Sequence, residues 1–276
     1  MMRRWITRTL PVLVMGAVLS ILAPQAAFAA KPVAPTTPTA VGIDVSWPQC
    51  GAALPTSAGF AIIGVNGGVA NTWNPCLVDQ LAWAKRVTPA SSANAVGLYV
   101  NTANAAAQAS WWPSSNTTKN GTAVVGNPYG SCTRAADYGP ACTFVYGYSL
   151  AVEDVAQVRS LGIAAEAYRW WLDVETGNTW QSSRQANTAA LEGMAVYLGT
   201  QVGASVGVYS TGAQWSTIAG TTPSTSALYA LPSWLAGSSS EKDARARCGT
   251  AAPLTAGGRV AITQFVVRQL DYDIAC

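Results

Sequence analysis

The chain has 276 residues, 16 Lys+Arg against 13 Asp+Glu, and no histidine. Lacking histidine, it lacks the usual base of serine or cysteine catalysis and the commonest nitrogen ligand of zinc. Only 11% of the residues are charged, and no Lys/Arg cluster is present, which argues against a nucleic-acid partner.

The N-terminal segment reads as an export signal, residues 1–29. Arg3, Arg4 and Arg8 precede an apolar stretch over residues 10–22, and Ala27-Phe28-Ala29 gives a small-x-small cleavage pattern. An uncleaved anchor is the alternative. The apolar stretch is short for a membrane span. Removing those three arginines leaves 13 basic and 13 acidic residues, so the apparent basicity belongs to the signal. Residues 30–40 form a Pro/Thr-rich linker. Residues 41–276 are then one domain, long enough to bury a large core. All six cysteines lie there: Cys50, Cys76, Cys132, Cys142, Cys248 and Cys276. An even number in an exported chain argues for disulfides rather than a metal site. Six cysteines allow about 15 pairings. Chain order and loop entropy favour Cys50–Cys76, Cys132–Cys142 and Cys248–Cys276. The expected location is extracellular, with no membrane contact after cleavage.

Apolar runs at residues 41–46 and 60–65 read as buried parallel strands. A helix follows over residues 75–87, with Leu77, Leu81 and Ala84 on one stripe, and a third strand over 96–100. Residues 102–147 are rich in Asn, Ser, Gly and Pro and read as irregular. A helix is expected over 149–161, a strand over 168–174 and the clearest helix over 183–202. Further strands fall at 206–209, 231–235 and 260–265, with a short helix near 215–218. Strands alternating with helices in one domain indicate a parallel α/β architecture. An open doubly wound sheet would carry a Gly-rich loop after its first strand. Here Trp47-Pro48-Gln49-Cys50 stands there instead. The expected fold is therefore a disulfide-bonded, TIM-like (β/α) barrel with fewer than eight helices, carrying its site on the loops after the strands.

The acids are few, and several fall at strand ends. Asp44 lies in Gly42-Ile43-Asp44-Val45-Ser46. Asp173 and Glu175 lie in Leu172-Asp173-Val174-Glu175. Residues two apart on a strand share a face, about 6.5 Å apart, so both carboxylates would project into the barrel mouth. Asp271 and Asp273 come just after the last expected strand. Taken singly, Asp44 reads first as a strand-end acid capping a turn, Asp173 or Glu175 equally as a helix cap, and Asp271 or Asp273 as a solvated C-terminal acid. Crowded carboxylates split their pKa values, and that division of roles suits glycosidic cleavage: one acid protonates the leaving oxygen while another stabilises or attacks the sugar. Tryptophans form a second group. Trp47, Trp180 and Trp234 lie near expected strand ends, where they would stack on sugar rings; many of the others are core residues.

The order of Gly42-Ile43-Asp44-Val45-Ser46, Phe60-Ala61-Ile62-Ile63, Leu172-Asp173-Val174-Glu175, Val208-Tyr209-Ser210, Pro232-Ser233-Trp234-Leu235-Ala236, Ile262-Thr263-Gln264-Phe265 and Leu270-Asp271-Tyr272-Asp273 resembles the glycoside hydrolase family 25 lysozymes. The resemblance spans most of residues 41–273. It implies a flattened barrel of about eight strands that cleaves the β-1,4 bond between N-acetylmuramic acid and N-acetylglucosamine in peptidoglycan, with retention and without a metal or other cofactor. Carried over by position, Glu175 is the general acid/base and Asp173 orients or stabilises the substrate's N-acetyl group. Asp44 and Asp271 complete an acidic floor, and Tyr209 and Trp234 line sugar subsites. The expected partner is peptidoglycan or a related polysaccharide, met by a monomer. A barrel that binds wall glycan without turnover is the alternative. The disulfide-bearing segment 102–147 departs from the family pattern.

Overall fold

The computed structural model describes residues 41–89 and 95–276. The expected signal and linker lie outside the described residues. Eight strands close into a barrel in chain order: β1 (Val41–Val45), β2 (Ala61–Gly64), β3 (Val96–Asn101), β4 (Arg169–Asp173), β5 (Val206–Ser210), β6 (Ser233–Ser238), β7 (Val260–Val267) and β8 (Leu270–Ala275). Strands β1 to β7 run parallel, while β8 is antiparallel to both β7 and β1. Five α-helices occur among the described residues: α1 (Leu77–Val87), α2 (Pro140–Ser160), α3 (Arg184–Val196), α4 (Gly212–Ile218) and α5 (Glu241–Thr250). Between β1 and β2 there is only the single 3-10 turn Trp47–Gln49. The expected barrel with fewer than eight helices is the one that forms.

Alternation along the strands sorts two cores. Ile43, Val45, Ile63, Leu98, Val100, Trp170, Leu172 and Val208 point outward and pack with Leu81, Val155, Leu191 and Trp215 of the helices. Ile62, Trp171, Trp234 and Ile262 form a separate cluster inside the barrel. Its rings meet across strands that are not neighbours: Tyr99 on β3 lies 6.2 Å from Trp234 on β6, and Trp171 on β4 lies 5.8 Å from it. Glycine makes room for these rings. A Cβ on Gly207 would stand 2.3 Å from the Trp171 ring, and one on Gly42 would stand 2.4 Å from Phe60.

Two sequence expectations change. First, α2 begins at Pro140, not near residue 149, so the irregular segment is shorter than the composition suggests. Pro140 occupies the first helical turn, where its missing N–H costs nothing. Gly147 is not a breaker but a contact point: a Cβ there would stand 1.9 Å from the Ala190 carbonyl of α3. Gly193 of α3 is equally close to the Phe144 carbonyl, so the two helices press backbone to backbone. Second, Asp271 and Asp273 do not trail the last strand. They sit on β8, and Asp273 is fully buried rather than solvated. A two-residue turn, Arg268-Gln269, joins β7 to β8, both residues in the left-handed region at φ 50° and 67°.

The disulfides are Cys50–Cys76, Cys132–Cys142 and Cys248–Cys276. They tie the β1–β2 connection to the start of α1, the β3–α2 segment to α2, and α5 to the chain after β8.

Candidate active site

The functional side chains gather where the parallel strands end. Asp44 is the fourth residue of β1 and Asp173 the last of β4; Glu175 follows two residues later. Because β8 runs the other way, its beginning reaches the same rim, and Asp271 pairs directly with Asp44 across the β1–β8 ladder. Asp44, Asp173, Glu175 and Asp271 line one open cavity of about 140 Å³ together with Tyr99, Tyr209, Trp234 and Gln264. Glu175 and Asp271 are half-buried at the mouth, whereas Asp44 and Asp173 are buried beneath them.

A hydrogen-bond chain fixes the floor. Tyr209 Oη donates to Gln264 Oε1 at 2.9 Å, and Gln264 Nε2 donates to Asp44 Oδ2 at 2.9 Å. Trp234 Nε1 donates to Asp273 Oδ1 at 2.8 Å. Asp44 and Asp273 stand close enough for each to act on the other's ionisation, and two charged carboxylates there would repel. Asp173 Oδ1, like Asp273 Oδ2, is buried without a hydrogen-bond partner.

Burial sets the electrostatics. Desolvation drives the Asp44 carboxyl well above the ordinary range, and the charges of Asp273 and Asp271 push it further. Desolvation and then Glu175 do the same to Asp173, and raise Asp271 as well. Asp273 is pushed up to about 8, chiefly by burial. Tyr209 is raised well above its usual value by burial and then by Asp173, so it remains a neutral donor to Gln264. Burial thus favours the neutral form of the carboxyls of Asp44, Asp173 and Asp273.

The expected aromatic residues separate. Tyr209 and Trp234 line the cavity, their ring centroids 4.5 Å apart. Trp180 does not line it. Its ring packs on the outer core, and its Nε1 donates to the Glu175 carbonyl at 2.8 Å, bracing the turn that carries the acid. Trp47 is exposed on the turn after β1 and lies against Gly68, outside the acidic cavity. Sequence reasoning did not assign Tyr99 or Gln264. Gln264 had a signal: a buried amide inside the apolar run of β7 requires a polar partner within the barrel. A larger cavity, about 590 Å³, lies between residues 49–56 and α1; none of Asp44, Asp173, Glu175, Asp271 or Asp273 lines it.

A family model described as lysozyme-like protein 1 matches residues 150–246, the stretch that carries Asp173, Glu175, Tyr209 and Trp234. No curated protein matches the chain significantly. Among solved structures, a muramidase from Trichobolus zukalii is 17% identical, with 86% of this chain and 94% of that one covered at a TM-score of 0.50. A muramidase from Acremonium alcalophilum is 15% identical, with 86% and 93% covered at 0.52. At such identities the likeness is one of fold. The chain is thus similar to the lysozyme-like proteins over residues 150–246 and shares the barrel of the muramidases.

Proposed function

We propose that this protein is a muramidase-type glycoside hydrolase that works outside the cell on the β-1,4 bonds of peptidoglycan. The observation that carries the reading is the convergence of Asp44, Asp173, Glu175 and Asp271 with Tyr209 and Trp234 in one open cavity at the strand ends. Glu175, at the rim, protonates the leaving oxygen and later takes the proton back from water. Asp173 Oδ1 accepts the N–H of the substrate's acetamido group, which supplies the partner this buried oxygen lacks. Asp271, at the rim, stabilises the positive charge that develops on the sugar ring, and Asp44 beneath it completes the acidic floor. The cavity is a pit for one sugar substituent and the reacting bond, so the rest of the glycan lies across the rim. The three disulfides support an oxidising location.

Release of reducing ends from purified peptidoglycan tests the reading. Glu175→Gln is expected to lower kcat at least about a hundredfold, with an unchanged near-ultraviolet dichroism spectrum. A wild-type protein that releases nothing from peptidoglycan or chitin-type oligomers, yet still sediments with insoluble wall, would overturn the enzyme and leave a wall-binding barrel.

A further inference from the structure

A second cavity of about 370 Å³ lies among the loop after β2, the segment after β3 and Gly177–Thr179 of the turn after β4, and against helix α2. Gly177 is two peptide steps beyond Glu175, so their Cα atoms are at most about 7.6 Å apart. The two cavities therefore border one short turn, Glu175 lining one and Gly177 the other.

The chemistry of the second cavity differs from that of the first. It presents one cation and one anion side by side, Lys119 Nζ and Glu153 Oε1 at 3.3 Å, both partly open to solvent. Lys119 is held in place by its own backbone N–H, which donates to Ser149 Oγ of α2 at 3.1 Å. Trp111 adds a half-buried aromatic wall. A neutral sugar offers such a pair only hydroxyls and amides, whereas a short peptide with free carboxylates and a free amine offers each charge an opposite one. The volume lies in the range that encloses a small ligand.

We propose that this cavity takes the peptide branch of the wall polymer, Lys119 pairing with a branch carboxylate and Glu153 with a branch amine. The assignment rests on the peptidoglycan reading of the acidic cavity and adds a specificity site to it. The Cys132–Cys142 bridge pins the connection that forms this wall onto α2.

Two measurements test it. The first is tryptophan-fluorescence titration of the full protein with a synthetic tetrapeptide bearing carboxylates and one free amine. Saturable binding is expected, weakened about fivefold or more by Lys119→Ala or Glu153→Gln. The second compares peptide-bearing glycan strands with strands stripped of peptide. Wild type is expected to favour the former about tenfold through KM, and Lys119→Ala to erase that preference while leaving the stripped strands unaffected. Absence of peptide binding, or equal loss on both glycans in the variant, overturns the branch site. So does a variant that weakens binding of chitin-type oligomers, which would make the cavity a sugar subsite. Peptide binding without hydrolysis of either glycan keeps the branch site and overturns the proposed enzyme. Equal cleavage of both glycans without peptide binding does the reverse.

Discussion

Asp154 offers a clean test of how burial acts on this barrel, because it lies outside the acidic cavity. It sits on α2, almost wholly buried. Its Oδ1 accepts from Asn66 Nδ2 at 3.1 Å, and its Oδ2 has no partner. Desolvation dominates, Asn66 lowers it somewhat and Glu153 raises it, so the carboxyl is pushed from 3.8 to about 8. The folded chain therefore keeps a proton that the unfolded chain releases above about pH 4. Stability from this group is fully present below that pH, declines as pH rises, and levels off above about 8. Each unit removes about 1.4 kcal/mol, so going from pH 5 to pH 8 costs roughly 3–4 kcal/mol. Asp154→Asn mimics the protonated acid, keeps an acceptor for Asn66 and does not titrate. Urea unfolding of both proteins at pH 5 and pH 8, followed by tryptophan fluorescence, measures the difference. The variant is expected to gain roughly 3–4 kcal/mol on wild type between the two pH values. An equal stability gap at both would mean that Asp154 is ionised in the folded state, and the burial argument would fail.

Gly207→Ala places a methyl group 2.3 Å from the Trp171 ring, and thermal unfolding should register a loss of about 1–3 kcal/mol. Tyr209→Phe removes the donor to Gln264 Oε1; the cost in denaturant should be about 1–2 kcal/mol, with kcat falling as Gln264 loosens its hold on Asp44. Replacing Cys132 and Cys142 together by Ala opens a bridge of sequence separation 10. The chain-entropy model gives a loss of about 3 kcal/mol for a loop of this size, and a midpoint unchanged by reduction in the variant would identify this bridge as the reducible one.

The strands with uniform apolar character were the easiest to read. Residues 41–46, 60–65 and 96–100 gave β1, β2 and β3 within a residue or two, because buried parallel strands need little alternation. Asp44 and Asp173 stood out for the same reason: an acid in such a run requires compensation. Two features were hidden. Helix α2 hid behind Gly147 and Pro140, which signal breaks locally but here serve a helix start and a close helix contact. Strand β8 hid behind its turn. A two-residue hairpin with positive φ at both positions normally announces itself with Asn or Gly, and Arg268-Gln269 carries neither. Tyr99 gave no signal, since an aromatic residue in a strand is ordinary until the barrel closes and turns it inward.

The reversal of β8 is what completes the acidic cavity. Every parallel strand offers its C-terminal end to the active rim, and β1 and β4 deliver Asp44 and Asp173 in that way. A parallel β8 would carry Asp271 at its first turn to the opposite end of the barrel. Running antiparallel, it sets Asp271 across from Asp44 at the rim and buries Asp273 one layer down, opposite Gly42 and Gln264. The missing side chain at Gly42 belongs to the same layer, where the Phe60 ring takes up the space. The turn at Arg268-Gln269 thus pays a conformational cost of about 1–3 kcal/mol per strained residue. In exchange it supplies the rim acid Asp271 and places Asp273 near Asp44, where crowding of the two carboxyls favours their neutral forms.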